Sequence, residues 1–206
     1  MKKTVSGLYA VTPDLSDSEL LSEKVAEALA GGARAVQYRS KSGDESLRRH
    51  QAAGIAQLCR ERRATFIVND SVELAREVGA DGVHLGRNDE DVARARAVLG
   101  TDKIIGVSCY NEIERARIAS FHGADYVAFG SFFPSATKPG AVRADIGLLR
   151  VASAEIALPI VAIGGIDADN AAELIRAGAD AIAVVSALFD VPDSRAQAHR
   201  LARLFE

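Results

Sequence analysis

The sequence predicts an α/β protein, a single-domain (β/α)8 TIM barrel occupying residues 1–206. Three features predict it: a helix-to-strand phrase that recurs four times, eight short β-branched runs separated by amphipathic runs, and no linker or composition shift along the chain. The phrase reads Gly32-Ala33-Arg34-Ala35-Val36, Gly79-Ala80-Asp81-Gly82-Val83, Gly123-Ala124-Asp125-Tyr126-Val127 and Gly178-Ala179-Asp180-Ala181-Ile182. Glycine just after an amphipathic run closes a helix, because it enters the left-handed conformation without a Cβ clash. The β-branched residues that follow read as a buried strand. Recurrence on this scale marks a fold assembled from repeated units. Eight strands joined by crossover helices close into a barrel, with an open doubly wound sheet as the rival.

In chain order the strands centre near residues 9, 36, 67, 83, 106, 128, 161 and 183. Leu8–Val11, Thr65–Val68, Ile104–Val107 and Ile160–Ile163 supply the runs that the phrase does not. Between them lie eight helical patterns. Ser16 and Glu19 read as a capping box ahead of Leu21, Val25, Ala28 and Leu29, which share one face. Leu47, Ile55, Leu58 and Cys59 form the second stripe. Ser71 to Val78, Asp91 to Leu99, Ile113 to Phe121, Ile146 to Ala154, Ala171 to Ala177 and Ala196 to Phe205 complete the set.

Twenty-five Lys and Arg against 28 Asp and Glu give a net charge of −3, which offers no basic footprint for nucleic acid and no polybasic face for a membrane. No apolar run approaches the ~18 residues of a membrane span, and the basic N-terminus lacks the apolar stretch of a secretion signal. The expectation is a soluble cytoplasmic protein acting on small molecules, with room for a homo-oligomer. The two cysteines, Cys59 and Cys109, have no metal-knuckle or disulfide spacing, and Cys109 reads as structural. His50 and His199 fall on helices and His122 ends one; His84 is strand-borne and faces either the mouth or the core.

Barrels of this kind carry their chemistry at the C-terminal ends of the strands. The residues there are Gln37-Tyr38-Arg39-Ser40-Lys41, Asn69-Asp70, His84 with Asp89, Ser108, the run Gly130 to Lys138, Gly164-Gly165 and Val185-Ser186. Arg39, Lys41 and Lys138 aim three cations at one mouth, and Asp70 and Asp89 bring two carboxylates from adjacent strands. Cations with carboxylates suit a diphosphate held with Mg²⁺. Gly164-Gly165 and Val185-Ser186 stand where many barrels bind a phosphate through backbone N–H groups. Each feature has a plainer reading, as a helix cap for Asn69-Asp70 and Asp89, as a tight turn for the glycines, and as a solvated rim for Arg39, Lys41 and Lys138.

Taken in order, these residues resemble one family. Gln37-Tyr38-Arg39-Ser40-Lys41 is similar to its Gln-x-Arg-x-Lys element, and Asn69-Asp70 with Gly86-Arg87-Asn88-Asp89 to its Asn-Asp and Gly-Gln-x-Asp elements. Ser135-Ala136-Thr137-Lys138 resembles its Thr-x-Thr-Lys loop, and Gly164-Gly165 and Val185-Ser186 complete the set. The family is thiamine-phosphate synthase (thiamine-phosphate pyrophosphorylase). The likeness implies a transferase that joins a hydroxymethylpyrimidine diphosphate to a thiazole phosphate with Mg²⁺. It implies that Gln37, Tyr38, Arg39, Ser40, Lys41, Asn69, Ser108 and Lys138 bind the pyrimidine diphosphate, and that Arg39, Lys41, Lys138 and Ser108 are the catalytic set. Asp70 and Asp89 would hold the metal. Ser135, Ala136, Thr137, Gly165, Val185 and Ser186 would hold the thiazole phosphate.

Four positions depart from the pattern: Arg87 and Asn88 where Gln and an acidic residue are usual, Ser135 for the first Thr, and Tyr38 where Leu is frequent. The alternatives are a thiazole tautomerase of the same barrel, whose His after the sixth strand would be Ser131 here, and a non-catalytic thiamine-precursor-binding protein.

Overall fold

The structure, a computed structural model, describes residues 4–135 and 140–206. In chain order the elements are β1 (Gly7–Val11), α1 (Ser18–Ala30), β2 (Ala35–Tyr38), α2 (Glu45–Glu61), β3 (Thr65–Asn69), α3 (Val72–Glu77), β4 (Gly82–Leu85), α4 (Val92–Leu99), β5 (Ile104–Tyr110), α5 (Ile113–Phe121), β6 (Tyr126–Phe129), α6 (Ile146–Glu155), β7 (Ile160–Ile163), α7 (Ala171–Arg176), β8 (Ala181–Val184), α8 (Ser186–Phe189) and α9 (Ser194–Ala202). A 3₁₀ turn, Arg203–Phe205, follows. The eight strands are parallel and close in sequence order, β1 pairing with both β2 and β8. The closed barrel excludes the open-sheet rival. No helix among the described residues is long and apolar enough to cross a membrane.

Closure gives the chain two cores. Alternate strand residues point to opposite faces. Tyr9, Val11, Ala35, Ile67, Ile104, Tyr126, Ala128, Val161, Ala181 and Ala183 fill the barrel interior. Their neighbours, among them Leu8, Val36, Phe66, Val83, Ile105, Val127 and Ile182, pack outward against helix residues such as Leu21, Val25, Ile55 and Leu149. The same two-residue step, continued upward, carries Gln37, Asn69, His84 and Ser108 onto the inward face at the C-terminal end.

The recurring phrase has a physical cause at the opposite end. In three of its copies the aspartate grips the start of the preceding strand with both backbone and side chain. Asp81 donates its N–H to the Phe66 carbonyl while its carboxylate accepts the Phe66 N–H at 2.8 Å. Asp125 does the same to Ile105 and Asp180 to Ile160, each carboxylate at 2.8 Å. Arg34 keeps only the backbone half, to the Leu8 carbonyl. The glycine of each phrase has a positive φ, the alanine is buried beneath the helix, and the aspartate saves a strand N–H at the sheet's end from being left unpaired.

Two local expectations change. Ser16 and Glu19 do not cap α1; Asp17 does, its carboxylate accepting the backbone N–H of Glu19 and Leu20, both at 3.0 Å. A charged acceptor one residue on fills the same N-cap role and adds a favourable interaction with the helix dipole. The last helix begins at Ser194, capped by the Asp193 carboxylate, and ends in the 3₁₀ turn instead of running on to Phe205.

Asp125 also pairs with Arg96 at 2.6 Å. Asp125→Ala therefore takes the carboxylate acceptor from the Ile105 N–H and from Arg96, whose guanidinium keeps the carbonyls of Gly100, Lys103 and Gly123. It is expected to lower the free energy of unfolding by about 1–3 kcal/mol, read as a lower urea midpoint at unchanged slope.

Candidate active site

The C-terminal mouth opens on a cavity of about 530 Å³. Its floor is the top of the interior core, including Tyr9, Val11, Ala128, Val161 and Ala183, and its rim carries polar groups from opposite sides. Of the residues expected from the sequence, Gln37, Arg39, Asn69, Ser108, Ser135, Gly165, Val185 and Ser186 line it. Ser40 is half-buried, and it and the exposed Lys41 lie outside the cavity lining, on a loop tied down where the Lys41 N–H donates to Asp14 at 3.0 Å. Ala136, Thr137 and Lys138 fall outside the described residues.

Tyr38 departs from the expectation. It sits one step out of phase with Gln37 and Arg39, so its ring joins the outer core and its hydroxyl donates to Gln51 of α2 at 2.9 Å. It supports the β2–α2 contact and does not reach the cavity.

Arg39 is held by its backbone. The buried Thr12 hydroxyl accepts the Arg39 N–H at 2.8 Å and donates to its carbonyl at 3.0 Å. That double link fixes the end of β2 against β1 and aims the guanidinium from a rigid base.

The two carboxylates stand at the ends of β3 and β4, paired neighbours in which Asn69 faces His84. Asp70 has φ +63°, a left-handed conformation that aspartate tolerates better than most residues, and its N–H donates to the His84 carbonyl at 2.8 Å. The Asp89 carboxylate turns back to accept the Gly86 N–H at 2.5 Å. A Cβ on Gly86 would lie 2.9 Å from that carboxylate, so the glycine makes room for it. Among the described residues no three His, Cys, Asp or Glu side chains converge on one point. A carboxylate pair without a third protein ligand fits Mg²⁺, which keeps waters and takes substrate phosphate oxygens; it does not fit a structural zinc site.

A brace holds this rim. Tyr110 leaves β5 at φ +55°, where the strand bulges against β6. Its hydroxyl accepts the Arg87 N–H, and the Arg87 and Arg115 guanidinium carbons lie 4.9 and 5.8 Å from its ring centroid. Arg115 donates to the Ser108 carbonyl at 2.7 Å and the Gly86 carbonyl at 3.1 Å, while Arg87 pairs with Glu112. Arg87, one of the departures from the family pattern, is thus held by the β5 side. The sequence reading missed Tyr110 and Arg115, since neither lies in a motif.

The opposite rim is backbone. Phe132 and Phe133 donate their N–H groups to the carbonyls of Ile163 and Gly164, at 3.2 and 2.9 Å, laying the loop after β6 along the end of β7. At Gly165 a Cβ would meet the Pro134 carbonyl oxygen at 2.4 Å, and φ is +66°. The sequence puts this glycine where many barrels bind a phosphate through backbone N–H groups; in the structure its bare Cα admits the neighbouring loop.

Beneath both rims runs a polar chain that the sequence reading also missed. Gln37 donates to the Tyr9 hydroxyl, which contacts the Tyr126 hydroxyl, and His84 joins Tyr126 to Ser108. Extending the alternation two residues back from Val11 and Ala128 would have found both tyrosines. His84, left open by the sequence, faces the interior and is 7% exposed.

A sequence model of the family described as thiamine monophosphate synthase matches residues 8–188. The chain belongs to the thiamine-phosphate synthase family. It is 57% identical over 205 residues to the thiamine-phosphate synthase of Thiobacillus denitrificans, covering 100% of this chain and 97% of that one. Identity to the enzyme of Nitrosospira multiformis is 55% over 205 residues, covering 100% and 88%. Among solved structures, thiamine phosphate pyrophosphorylase from Pyrococcus furiosus superposes with a TM-score of 0.87 at 38% identity, covering 97% of this chain and 95% of that chain. Like these family members, the chain is a transferase of thiamine biosynthesis built on a TIM barrel.

Cys109 is no nucleophile here. It faces the outer core, and burial pushes its thiol up from 9.0 to about 12. The native thiol therefore stays neutral where the unfolded thiol ionises. Its contribution to stability is complete below pH 9 and is lost as pH rises from there towards about 12. Cys109→Ala is expected to flatten the decline in unfolding free energy above pH 9, measured by urea titration from pH 7 to 10.5.

Proposed function

We propose that the cavity condenses 4-amino-2-methyl-5-hydroxymethylpyrimidine diphosphate with thiazole phosphate, giving thiamine phosphate and diphosphate. The observation that supports it best is the cavity's two unlike rims: the Arg39 guanidinium with the polar side chains of Gln37, Asn69 and His84 at the ends of β2 to β4, and the Gly164-Gly165 backbone with Ser186 at the ends of β7 and β8. Two anionic substrates meeting over one apolar floor need both.

In this reading the diphosphate lies on the side of Arg39, Lys41 and Asn69, with Lys138 from the loop after β6, and the pyrimidine ring sits between Gln37 and Ser108. The thiazole phosphate lies on the side of Ser135, Gly165, Val185 and Ser186, with Ala136 and Thr137 completing the loop. Asp70 and Asp89 would hold Mg²⁺. The metal supplies charge stabilisation for the departing diphosphate. The bond from the pyrimidine methylene carbon to oxygen breaks, and its electron pair leaves with the diphosphate. The thiazole nitrogen lone pair forms the new C–N bond. The nitrogen carries no proton to remove, so no general base is required, and the cavity's histidine is left a structural partner. Arg39, Lys41 and Lys138 oppose the charge that grows on the leaving oxygen, and each oriented donor of this kind is worth about 3–4 kcal/mol. The chain acts as one catalytic domain, and the cytoplasm is the compartment that fits its phosphorylated substrates.

The test is multiple turnover with both substrates and Mg²⁺, followed as thiamine phosphate by chromatography, against an EDTA control. Product in excess of enzyme, abolished by EDTA, is expected. Stoichiometric binding without product would favour a non-catalytic binding protein. Turnover unaffected by EDTA would remove the metal. In the same assay Asp89→Asn keeps an acceptor for the Gly86 N–H but loses the charge. A fall in kcat on the order of a hundredfold, partly restored by higher Mg²⁺, is expected; wild-type turnover would take Asp89 out of the metal site.

A further inference from the structure

Five polar side chains from five strands form one unbroken hydrogen-bonded chain across the barrel interior. Gln37 on β2 donates from Nε2 to the Tyr9 hydroxyl on β1 at 2.9 Å. The Tyr9 and Tyr126 hydroxyls, on β1 and β6, are 3.0 Å apart. The Tyr126 hydroxyl lies 2.8 Å from Nδ1 of His84 on β4, and Nε2 of His84 lies 2.8 Å from the Ser108 Oγ on β5. Gln37, Tyr9, Tyr126 and His84 are each less than a tenth exposed, and both ends of the chain, Gln37 and Ser108, line the cavity.

The chain crosses a strand through a gap made for it. His84 and Tyr126 are both register partners of Gly106 on β5, one on either side. A Cβ on Gly106 would lie 1.9 Å from Cζ of Tyr126. Its absence lets the tyrosine ring lie over β5, nearly parallel to the His84 ring at a centroid distance of 5.5 Å.

Such a chain has a direction. A phenol has one hydrogen to give and a neutral imidazole has one N–H. Burial pushes both tyrosines well above their ordinary pKa, so each keeps its proton. With every link made and the imidazole neutral, only two arrangements exist. In the one the structure shows, Gln37 gives an N–H to Tyr9, so Tyr9 gives to Tyr126 and Tyr126 to Nδ1. The imidazole proton then sits on Nε2 and goes to Ser108. The Gln37 amide edge turned away from Tyr9 is Oε1, an acceptor, and the Ser108 hydroxyl keeps its hydrogen for the cavity. Turning the amide over reverses every link and both ends together. The two ends therefore always present opposite polarity.

We infer that Tyr9, Tyr126 and His84 are positioning residues that lock the polarity of Gln37 and Ser108, so that the cavity selects a ring offering a donor to Gln37 and an acceptor to Ser108. This rests on the pyrimidine site proposed above. An aminopyrimidine, with its exocyclic NH₂ and unprotonated ring nitrogen, matches. The corresponding oxopyrimidine, with a carbonyl and a ring N–H, presents the reverse and leaves polar groups unpaired at both ends.

The test compares dissociation constants for the aminopyrimidine diphosphate and its oxo analogue, with Mg²⁺ and without thiazole phosphate, alongside ¹⁵N NMR of the histidine imidazoles. Wild type is expected to favour the amino ligand, with His84 protonated at Nε2 and bare at Nδ1. Tyr126→Phe removes one hydroxyl and keeps the ring; the amino-to-oxo preference is expected to fall on the order of tenfold, one hydrogen bond's worth. Ser108→Ala is expected to give a similar loss and the double variant no further one. Tyr9→Phe cuts the chain at the Gln37 end and is expected to lower the preference as well. An unchanged preference in folded Tyr126→Phe, additive losses, equal binding of the two ligands to wild type, or a proton on Nδ1 in the amino complex would each overturn the inference. Binding of neither ligand would instead overturn the pyrimidine site, while the tautomer in the ligand-free protein would still report the chain's direction.

Discussion

The structure depends on one geometric constraint, the closure of eight parallel strands around an axis. Closure forces every second residue of every strand inward. Low in the barrel the inward positions are Ala35, Ile67, Ile104, Val161 and Ala181, packed without polar groups. Higher up they become Gln37, Asn69, His84 and Ser108, which line the cavity. The two-residue period that builds the core therefore also ranks these side chains by depth, from apolar floor to hydrogen-bonding layer to charged rim.

The two ends of the barrel divide the work. At the N-terminal end Asp81, Asp125 and Asp180 satisfy strand N–H groups and fasten each helix-to-strand turn. These aspartates stabilise the fold and take no part in the cavity. At the C-terminal end Asp70 and Asp89 follow β3 and β4 outside the cavity lining, one in a left-handed backbone and the other with its carboxylate folded onto a glycine. Identical residue types thus do different work according to which end of a strand they occupy, as the architecture leads one to expect.

Much of this was legible in the sequence. The recurring glycine-alanine phrase located four of the strands, and eight of the strand-end residues expected in the site line one cavity, while Tyr38, Ser40, Lys41, Asp70 and Asp89 lie outside its lining. The departures are local. Asp17 took the cap expected of Ser16 because two adjacent residues offered competent acceptors. Tyr38 was placed in the site because it lies inside a matching motif, although its phase on β2 points it at α2. The interior chain escaped notice because Tyr9 and Tyr126 sit in runs that read as wholly apolar, and only their register against Ala35 and Gly106 across the closed barrel brings their hydroxyls together. The brace of Tyr110 and Arg115 depends on a bulge in β5, which no periodicity marks.

The central claim is that one cavity holds two anions at opposite rims and a pyrimidine between Gln37 and Ser108. The most direct measurement is a crystal structure with thiamine phosphate, diphosphate and Mg²⁺ bound together. The account predicts the thiamine phosphate group against Gly165 and Ser186, diphosphate against Arg39 with the metal between Asp70 and Asp89, and the aminopyrimidine spanning Gln37 and Ser108. Both anions on one rim, or a pyrimidine ring away from Gln37 and Ser108, would contradict it.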